Sequence, residues 1–212
     1  MIKIITIAQQ KGGVGKTTIA AHLAVALKQS GGRVLLLDID PQGSLTRWHS
    51  LREKRFGAGY TGITFNNSVG WKLNITIDQS KNKYDYLVID SPPHTEIDSK
   101  AAIRVADLVL VPMQASPTDV WATSTTLDFI ASEKKLAKII LNRYNPSSKT
   151  AKEVIANVPN LLSAYLGNRV AFSSCFMHGI TVVEAEPNSQ AAFEVRQLTD
   201  EVLLVLGDGH LK

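Results

Sequence analysis

Near its amino terminus the chain carries the run Gln10-Lys11-Gly12-Gly13-Val14-Gly15-Lys16-Thr17-Thr18. The residues before it, Ile2 to Ala8, are apolar and mostly β-branched, which predicts a buried strand. The residues after it, Ile19 to Leu27, place alanine and leucine at helical spacing, which predicts a helix. A strand, a glycine-rich turn and a helix in this order form the setting that a phosphate-binding loop requires.

Each part of this loop has a definite chemical use. Glycines let backbone N–H groups converge on phosphate oxygens, and the amino terminus of the following helix adds the positive end of its dipole. Lys16 is placed to contact the β- and γ-phosphates of a nucleotide, and the Thr17 hydroxyl is placed to ligate Mg²⁺. The sequence therefore predicts a site for a nucleoside triphosphate with Mg²⁺.

The loop departs from the common pattern G-x-x-x-x-G-K-[ST] at its first position, where Gln10 replaces glycine. A second lysine, Lys11, and a glycine pair follow, and the run resembles the deviant Walker A motif K-G-G-x-G-K-[ST]-T of the ParA/MinD family of ATPases at every position. The resemblance implies an ATP-dependent homodimer in which Lys11 reaches the phosphates of the opposite subunit while Lys16 acts in its own. The residues that it implies for ATP binding are Gly12, Gly13, Val14, Gly15, Lys16, Thr17 and Thr18.

A second acidic motif, Asp38-Ile39-Asp40-Pro41-Gln42, ends an apolar run that is typical of a strand buried on both faces. Carboxylates at i and i+2 on extended backbone point the same way, towards the edge where doubly wound sheets bind ligands. Taken alone, the motif is equally typical of an ordinary exit from a strand into a turn. Its similarity to the family's D-x-D-P-Q motif implies that Asp40 positions the attacking water and that Asp38 supports the Mg²⁺ shell.

Asp90 ends another apolar run, Tyr84 to Ile89, and has the character of a Walker B acid that holds Mg²⁺ through a water. Many α/β strands end in aspartate without a catalytic role, so the phosphate loop upstream decides this interpretation. The Asp-x-Pro-Pro ending resembles the family's nucleotide-sensing switch, within which His94 is interpreted as a polar loop residue. By the same resemblance, Asn142 faces the adenine after a later strand, with Arg143 beside it.

Strands alternate with helices along the whole length, which predicts an α/β fold with a doubly wound, mostly parallel sheet in one domain over residues 1–212. The less regular parts give more specific predictions. They are an edge strand at Ile63–Phe65, a helix cap at Thr118 or Asp119, a helix over Thr150–Leu166 interrupted by Pro159, a last strand at Val170–Phe172 and a closing helix over Ser189–Leu206.

Composition limits the possible environments. The 212 residues are 44% hydrophobic and 20% charged, as in an ordinary globular protein. No secretory signal is recognised, and no apolar run approaches the roughly 20 residues that span a bilayer. The lone Cys175 rules out a disulfide within the chain and fits a reducing cytoplasm. We expect a cytoplasmic protein that associates with the nucleoid when ATP is bound.

Four functional classes of the resembled family compete. They are a ParA-like ATPase that binds non-specific DNA and segregates a cargo, a MinD-like membrane-cycling ATPase, an iron–sulfur scaffold and a metabolic ATP-dependent enzyme. The segment 201–210 is acidic and interrupted by glycine, unlike a basic amphipathic membrane helix, and one cysteine is too few for a cluster scaffold. Lys11 and the motif at Asp38–Gln42 favour the ParA-like class over the metabolic one. The first strand begins at residue 2, so we expect no helix-turn-helix domain before it.

The ParA-like interpretation implies three kinds of partner. A second copy of the chain joins it in the presence of ATP, a ParB-like or other adaptor protein stimulates hydrolysis, and non-specific DNA is bound; no membrane is expected. The formal net charge of +4 is compatible with DNA, and dimerisation would double it. The candidates for phosphate contacts are Lys134, Lys135, Lys138, Lys149, Lys152, Arg169 and Arg196.

Overall fold

The computed structural model describes residues 1–93 and 97–207. In this part of the chain, seven strands form one sheet: β1 Lys3–Ile7, β2 Val34–Asp38, β3 Thr64–Asn67, β4 Tyr86–Asp90, β5 Leu108–Met113, β6 Ala137–Tyr144 and β7 Leu161–Gly167. The strands lie in the order β3-β2-β4-β1-β5-β6-β7, and each pairing between them is parallel. The prediction of a doubly wound α/β fold with a mostly parallel sheet is confirmed.

Nine α-helices connect or follow the strands in the described ranges: α1 Lys16–Gln29, α2 Ser44–Phe56, α3 Leu73–Ser80, α4 Ile97–Val105, α5 Pro117–Ser132, α6 Lys149–Ile155, α7 Val170–Met177, α8 Val182–Ala185 and α9 Gln190–Val205. A 3₁₀ turn, Gly70–Lys72, precedes α3. Within the same ranges, no helix is both long enough and apolar enough to cross a bilayer.

The helices cover both faces of the sheet because the central strands are apolar on both faces. β2, β4 and β5 are buried at every residue. One face packs on α1, α2 and α7–α9, where Leu23, Trp48 and Val195 lie in one apolar cluster. The other face packs on α3 and α4 at one end of the sheet and on α5 and α6 at the other.

The strand order brings the carboxyl ends of β1, β2 and β4 together. β1 lies between β4 and β5, and the chain builds one side of the sheet before it crosses to the other. Ile7 is level with Asp90, and Asp90 is level with Asp38. In doubly wound sheets a ligand binds where the strand order reverses, so the loop that follows β1 occupies that position.

Two predictions for the last third of the chain were wrong. The predicted helix over Thr150–Leu166 ends early, because α6 stops at Ile155 and residues 161–167 form strand β7. In β7, buried and more exposed residues alternate, as on an outer strand that packs mainly through one face. The predicted strand at Val170–Phe172 is instead the first turn of α7, where Phe172 and Cys175 are buried at the helical spacing i, i+3.

The prediction that Thr118 or Asp119 caps α5 was also wrong. Ser116 is the cap: its backbone is extended, its hydroxyl accepts a hydrogen bond from the Asp119 backbone N–H, and Pro117 begins the helix. Two other predictions are confirmed. The edge strand is β3, shifted by one residue at its start, and α9 covers nearly all of the predicted closing helix.

A buried ion pair links α2 to α8 in the helical layer on the α1 face. The Arg52 guanidinium of α2 binds both carboxylate oxygens of Glu184 in α8 and donates to the Thr61 and Gly179 carbonyls. Arg52 is 3% exposed, and its charge is fully paired. Because α2 begins at the exit from β2, this pair fixes the helix that supports the Asp38–Gln42 turn.

We predict that His22, buried in α1, makes the protein sensitive to acid. Its Nδ1 faces the Thr18 carbonyl at 2.8 Å, and burial lowers its pKa to about 4. The unfolded chain binds the proton near pH 6.5 and the folded chain only near pH 4, so the free energy of unfolding should fall as the pH drops through that window, by about 3 kcal/mol at pH 4. Urea unfolding at several pH values should show that the free energy of unfolding falls less with decreasing pH for His22→Gln than for the wild type. Parallel curves for the two proteins would contradict this role.

Candidate functional site

The phosphate loop leaves the carboxyl end of β1 and runs directly into α1, which begins at Lys16. Two of its glycines are in the left-handed region, Gly13 at φ 75° and Gly15 at φ 98°. At Gly15 there is also no room for a side chain, because a Cβ would lie 2.2 Å from Nδ2 of Asn142. The glycine is required here by both backbone conformation and packing.

Lys16 is buried at this amino terminus. Its Nζ donates to the Gln9 carbonyl at 3.2 Å, across the base of the loop. Burial lowers the pKa of Lys16, and the nearby carboxylates of Asp90 and Asp40 oppose that shift. The ammonium therefore lies among carboxylates at the mouth of the loop, where phosphate oxygens would replace water.

Asp90 lies beneath the loop and is completely buried. No donor lies in hydrogen-bonding geometry to either carboxylate oxygen within the described residues, although the Thr17 hydroxyl is near enough to favour the ionised form. Burial raises the pKa of Asp90 to about 8, with Thr17 opposing the shift and the Asp38 charge adding to it. A buried carboxylate without a donor, beside a threonine hydroxyl, fits a hydrated Mg²⁺ ion, because that ion offers several water donors.

Asp38 is also buried, but both of its carboxylate oxygens accept hydrogen bonds within the chain. One accepts from the Asp40 backbone N–H at 3.0 Å, and the other accepts from the backbone and hydroxyl of Thr46 at 2.8 and 2.7 Å. Burial raises the pKa of Asp38, and these hydrogen bonds oppose that shift. The geometry suits a residue that holds the turn after β2 in place.

Asp40 differs from the two buried acids because it is half-exposed. Its Oδ1 accepts from the Gln42 backbone N–H at 2.9 Å, which folds the turn back on itself. With Asp38, Lys72 and Asp98 it lines an open cavity of about 450 Å³. One carboxylate oxygen of Asp40 has no internal donor in the described chain, so it is available to a water in that cavity.

Lys11 is held within its own chain. Its Nζ forms an ion pair with Asp119 in the first turn of α5, and this carboxylate also accepts from the Ser116 hydroxyl at 3.0 Å. The Lys11 side chain keeps 42% of its surface exposed, whereas Asp119 is buried. Asp119 could not be recognised as a partner from sequence, because the two residues are 108 positions apart.

Asn142 and Arg143 lie on the other side of the loop, at the end of β6. A cavity of about 260 Å³ opens there, between Gly15 and Thr18 on one side and the segment Gly167–Ser173 on the other. The Asn142 amide donates to the Val14 carbonyl at 2.7 Å, so in this structure it supports the loop. Arg143 is exposed with a left-handed φ of 52°. Both residues line the cavity.

The segment Gly167–Ser173, which lines the same cavity, is fixed by a buried acid that the sequence analysis did not single out. Glu194 of α9 accepts from the Gly167 backbone N–H at 2.9 Å and pairs with the Arg169 guanidinium. Arg169 is therefore engaged within its own chain. His94, in contrast, lies outside the described residues.

The candidate DNA-contacting residues do not share one surface of the chain. Arg169 and Arg196 belong to the α1 face of the sheet, and Arg196 donates to the Pro187 carbonyl. The five lysines follow or lie within α5, β6 and α6. None of those lysines forms an ion pair with another residue that the structure describes.

Comparisons with known proteins bear on the family and the fold of the chain. Residues 5–182 match the model of the CobQ/CobB/MinD/ParA nucleotide binding domain. The maintenance of carboxysome distribution protein A of Halothiobacillus neapolitanus is 28% identical over 94% of this chain and 95% of its own. The chromosome-partitioning ATPase Soj of Thermus thermophilus is 28% identical over 95% of this chain and 96% of its own. The solved structure of the septum site-determining protein MinD from Pyrococcus horikoshii, complexed with Mg-ADP, has a TM-score of 0.77 at 24% identity and covers 95% of this chain and 96% of that one.

We predict that the two ends of the glycine run respond differently to alanine. Gly15→Ala should lower the free energy of unfolding by about 2 kcal/mol or more, because it adds left-handed strain and displaces Asn142. Gly12→Ala is the matched control: its Cβ would meet nothing within 4 Å, and its φ is outside the left-handed region, so we expect a change within about 0.5 kcal/mol. Denaturant unfolding without nucleotide measures both. Equal destabilisation by the two substitutions would show that Asn142 does not constrain the loop.

Proposed function

The chain belongs to the CobQ/CobB/MinD/ParA family of nucleotide-binding domains, and we propose that it is a ParA-like ATPase that dimerises with ATP, binds DNA without sequence preference and segregates or positions a cargo. One observation supports the ATPase assignment best. The buried Lys16 and the buried carboxyl of Asp90 lie at a glycine loop, with Asp40 half-exposed beside them. Phosphates would satisfy the Lys16 ammonium, and a hydrated Mg²⁺ ion would favour the ionised form of Asp90.

Phosphoryl transfer to water needs mainly positioning and charge neutralisation. In the proposed mechanism Lys16 places its ammonium against the β- and γ-phosphates, where negative charge develops. The Thr17 hydroxyl and, through water, Asp90 would hold Mg²⁺, which would supply a second positive charge beside the phosphates. Asp40 orients the attacking water from the open cavity, and Asp38 fixes Asp40 by accepting its backbone N–H.

Lys11 is assigned to the partner subunit's nucleotide. It is an exposed cation at the mouth of the loop, which suits a charge delivered across an interface. In the single chain it is paired with Asp119, so it must leave that carboxylate to reach the opposite phosphates. Turnover would then be slow in the monomer and would depend on dimerisation.

The cargo is proposed only as a class. One relative is named for carboxysome distribution and another for chromosome partitioning. Both names describe the placement of large assemblies, and we propose the same kind of task here, in the cytoplasm and on the nucleoid when ATP is bound. A ParB-like or other adaptor protein would stimulate hydrolysis. Adenine would occupy the cavity beside Asn142 and Arg143.

The first test separates the two lysines of the loop. Lys16→Ala should abolish binding of Mg-ATP, because it removes the charge opposite the phosphates. Lys11→Ala should bind a fluorescent ATP analogue normally but lose ATP-dependent dimerisation, measured by light scattering. Unchanged nucleotide binding by Lys16→Ala would disprove the site, and a normal ATP dimer of Lys11→Ala would disprove its role in trans.

The second test concerns DNA. ATP-bound protein should bind random duplex more tightly than ADP-bound protein, and the logarithm of affinity should fall by about 0.9 per log unit of salt for each phosphate neutralised. Changing both Lys149 and Lys152 to alanine should reduce that slope, because these lysines have no ion-pair partner in the described chain. Arg169→Ala should leave the slope unchanged, since Glu194 already pairs with this residue. Absence of ATP-dependent binding at low salt would favour the membrane-cycling or metabolic alternatives.

A further inference from the structure

The buried side of α5 is unusual in its chemistry. Its four buried residues, Asp119, Thr123, Thr126 and Ile130, recur at i, i+4, i+7 and i+11 and so form one stripe. The stripe of a helix that faces the core is normally apolar, but three of these four residues are polar. Buried polar groups need hydrogen-bond partners, so the stripe must face other polar groups.

The partner of the two threonines is Gln9, the last residue before the phosphate loop at residues 10–18. Gln9 is 2% exposed. Its Nε2 donates to the Thr123 hydroxyl at 2.9 Å and to the Pro112 carbonyl of β5 at 3.3 Å. Its Oε1 accepts from the Thr126 hydroxyl at 2.7 Å and from the Gln10 backbone N–H at 2.8 Å. A side-chain amide offers two donors and two acceptor positions, and all four are used here.

The backbone of Gln9 is involved as well. Its carbonyl accepts from Lys16 Nζ at 3.2 Å, so this residue meets both α5 and the lysine of the loop. One turn earlier on the same stripe, Asp119 pairs with Lys11. Helix α5 therefore holds the entry to the phosphate loop at two points, one through an exposed lysine and one through a buried amide.

We propose that Gln9 is a positioning residue that fixes the entry of the phosphate loop against α5 and thereby sets the nucleotide-binding geometry of Lys16. The inference rests on the proposed nucleotide site. Its chemical basis is that the Gln9–Gln10 peptide is held in one orientation by the Oε1 contact to the Gln10 N–H. That orientation determines where the Gln9 carbonyl, and with it the Lys16 ammonium, is placed.

The two attachments of the loop to α5 have different characters. In the Lys11–Asp119 pair the lysine is partly exposed, so its ammonium can exchange Asp119 for another anion. The Gln9 contacts are buried, and breaking one would leave a hydroxyl or N–H without a partner. When Lys11 leaves Asp119, Gln9 keeps the loop in register on the helix.

The experiment compares Gln9→Met with Gln197→Met in the chain of residues 1–212. Methionine keeps the length of the side chain and removes its amide. Gln197 is the matched control because it lies outside the phosphate loop, on an exposed position of α9. Titration with a fluorescent ATP analogue and Mg²⁺ should show about 10-fold weaker binding for Gln9→Met, or about 1.4 kcal/mol, and a change within about twofold for Gln197→Met.

The threonines provide a second comparison if Gln9→Met melts below the assay temperature. Thr123→Val should weaken binding of the analogue in the same direction, and Thr123→Ser should restore it because the hydroxyl returns. Thr125→Val makes the same chemical change at an exposed position of α5 and should have no effect. In the double variant, Gln9→Met and Thr123→Val should combine less than additively, because they remove one shared hydrogen bond.

Two results would overturn the proposal: binding by Gln9→Met within twofold of the wild type, or no difference between Thr123→Val and Thr125→Val. Failure of the proposed function is distinguishable from both. If the wild-type chain bound no ATP analogue, or if Lys16→Ala bound it equally well, the nucleotide site itself would be wrong. Normal binding by wild type and by Gln9→Met would disprove only the role of Gln9.

Discussion

The site depends on two ionisable groups, Lys16 and Asp90, that the protein buries with few hydrogen-bond partners. Lys16 makes one hydrogen bond, to the Gln9 carbonyl, and Asp90 accepts none in standard geometry from the described residues. Removing charges from water is costly, and an incompletely paired buried charge is among the most destabilising features a fold can contain. Both groups lie at the carboxyl edge of a sheet whose central strands are buried on both faces, so the surrounding backbone cannot relax to satisfy them. Such an arrangement persists where a ligand completes it, and here phosphate and a hydrated cation would do so.

A comparison of Asp38 with Asp90 shows how neighbouring residues set the use of a carboxylate. The two acids are level with each other on adjacent strands, and burial raises the pKa of both. The amino terminus of α2 brings Thr46 to Asp38, and the turn returns the Asp40 N–H to it. No such donors reach Asp90 in the described chain. Asp38 therefore stabilises the turn internally, whereas the oxygens of Asp90 remain available to a cation, as the proposed function requires.

The sequence was sufficient for features that depend on neighbours in the chain. The glycine loop between a strand and a helix, and the aspartates at strand ends, are local patterns, and the structure places them at one edge as parallel strands require. Sequence reasoning failed where a contact spans the chain. Gln9 meets Thr126 at a separation of 117 residues, and Lys11 meets Asp119 at 108. It failed also at residues 161–177, where a short outer strand and a two-turn helix carry too few residues to show their periods clearly.

The residues proposed for the function divide by exposure, and the division agrees with the task proposed for each. Lys16 and Asp90 are buried, which suits groups that must meet phosphate and metal in a fixed geometry. Lys11 and Asp40 are partly exposed, which suits groups that must reach a second subunit or a water. The supporting helices lie on the two faces of the sheet. On the α1 face, α2 is anchored by Arg52 and holds the Asp38 turn. On the other face, α5 holds the loop. Helices on both faces of the sheet hold the buried residues in place. The partly exposed Lys11 and Asp40 therefore keep the freedom to move that a nucleotide-dependent switch needs.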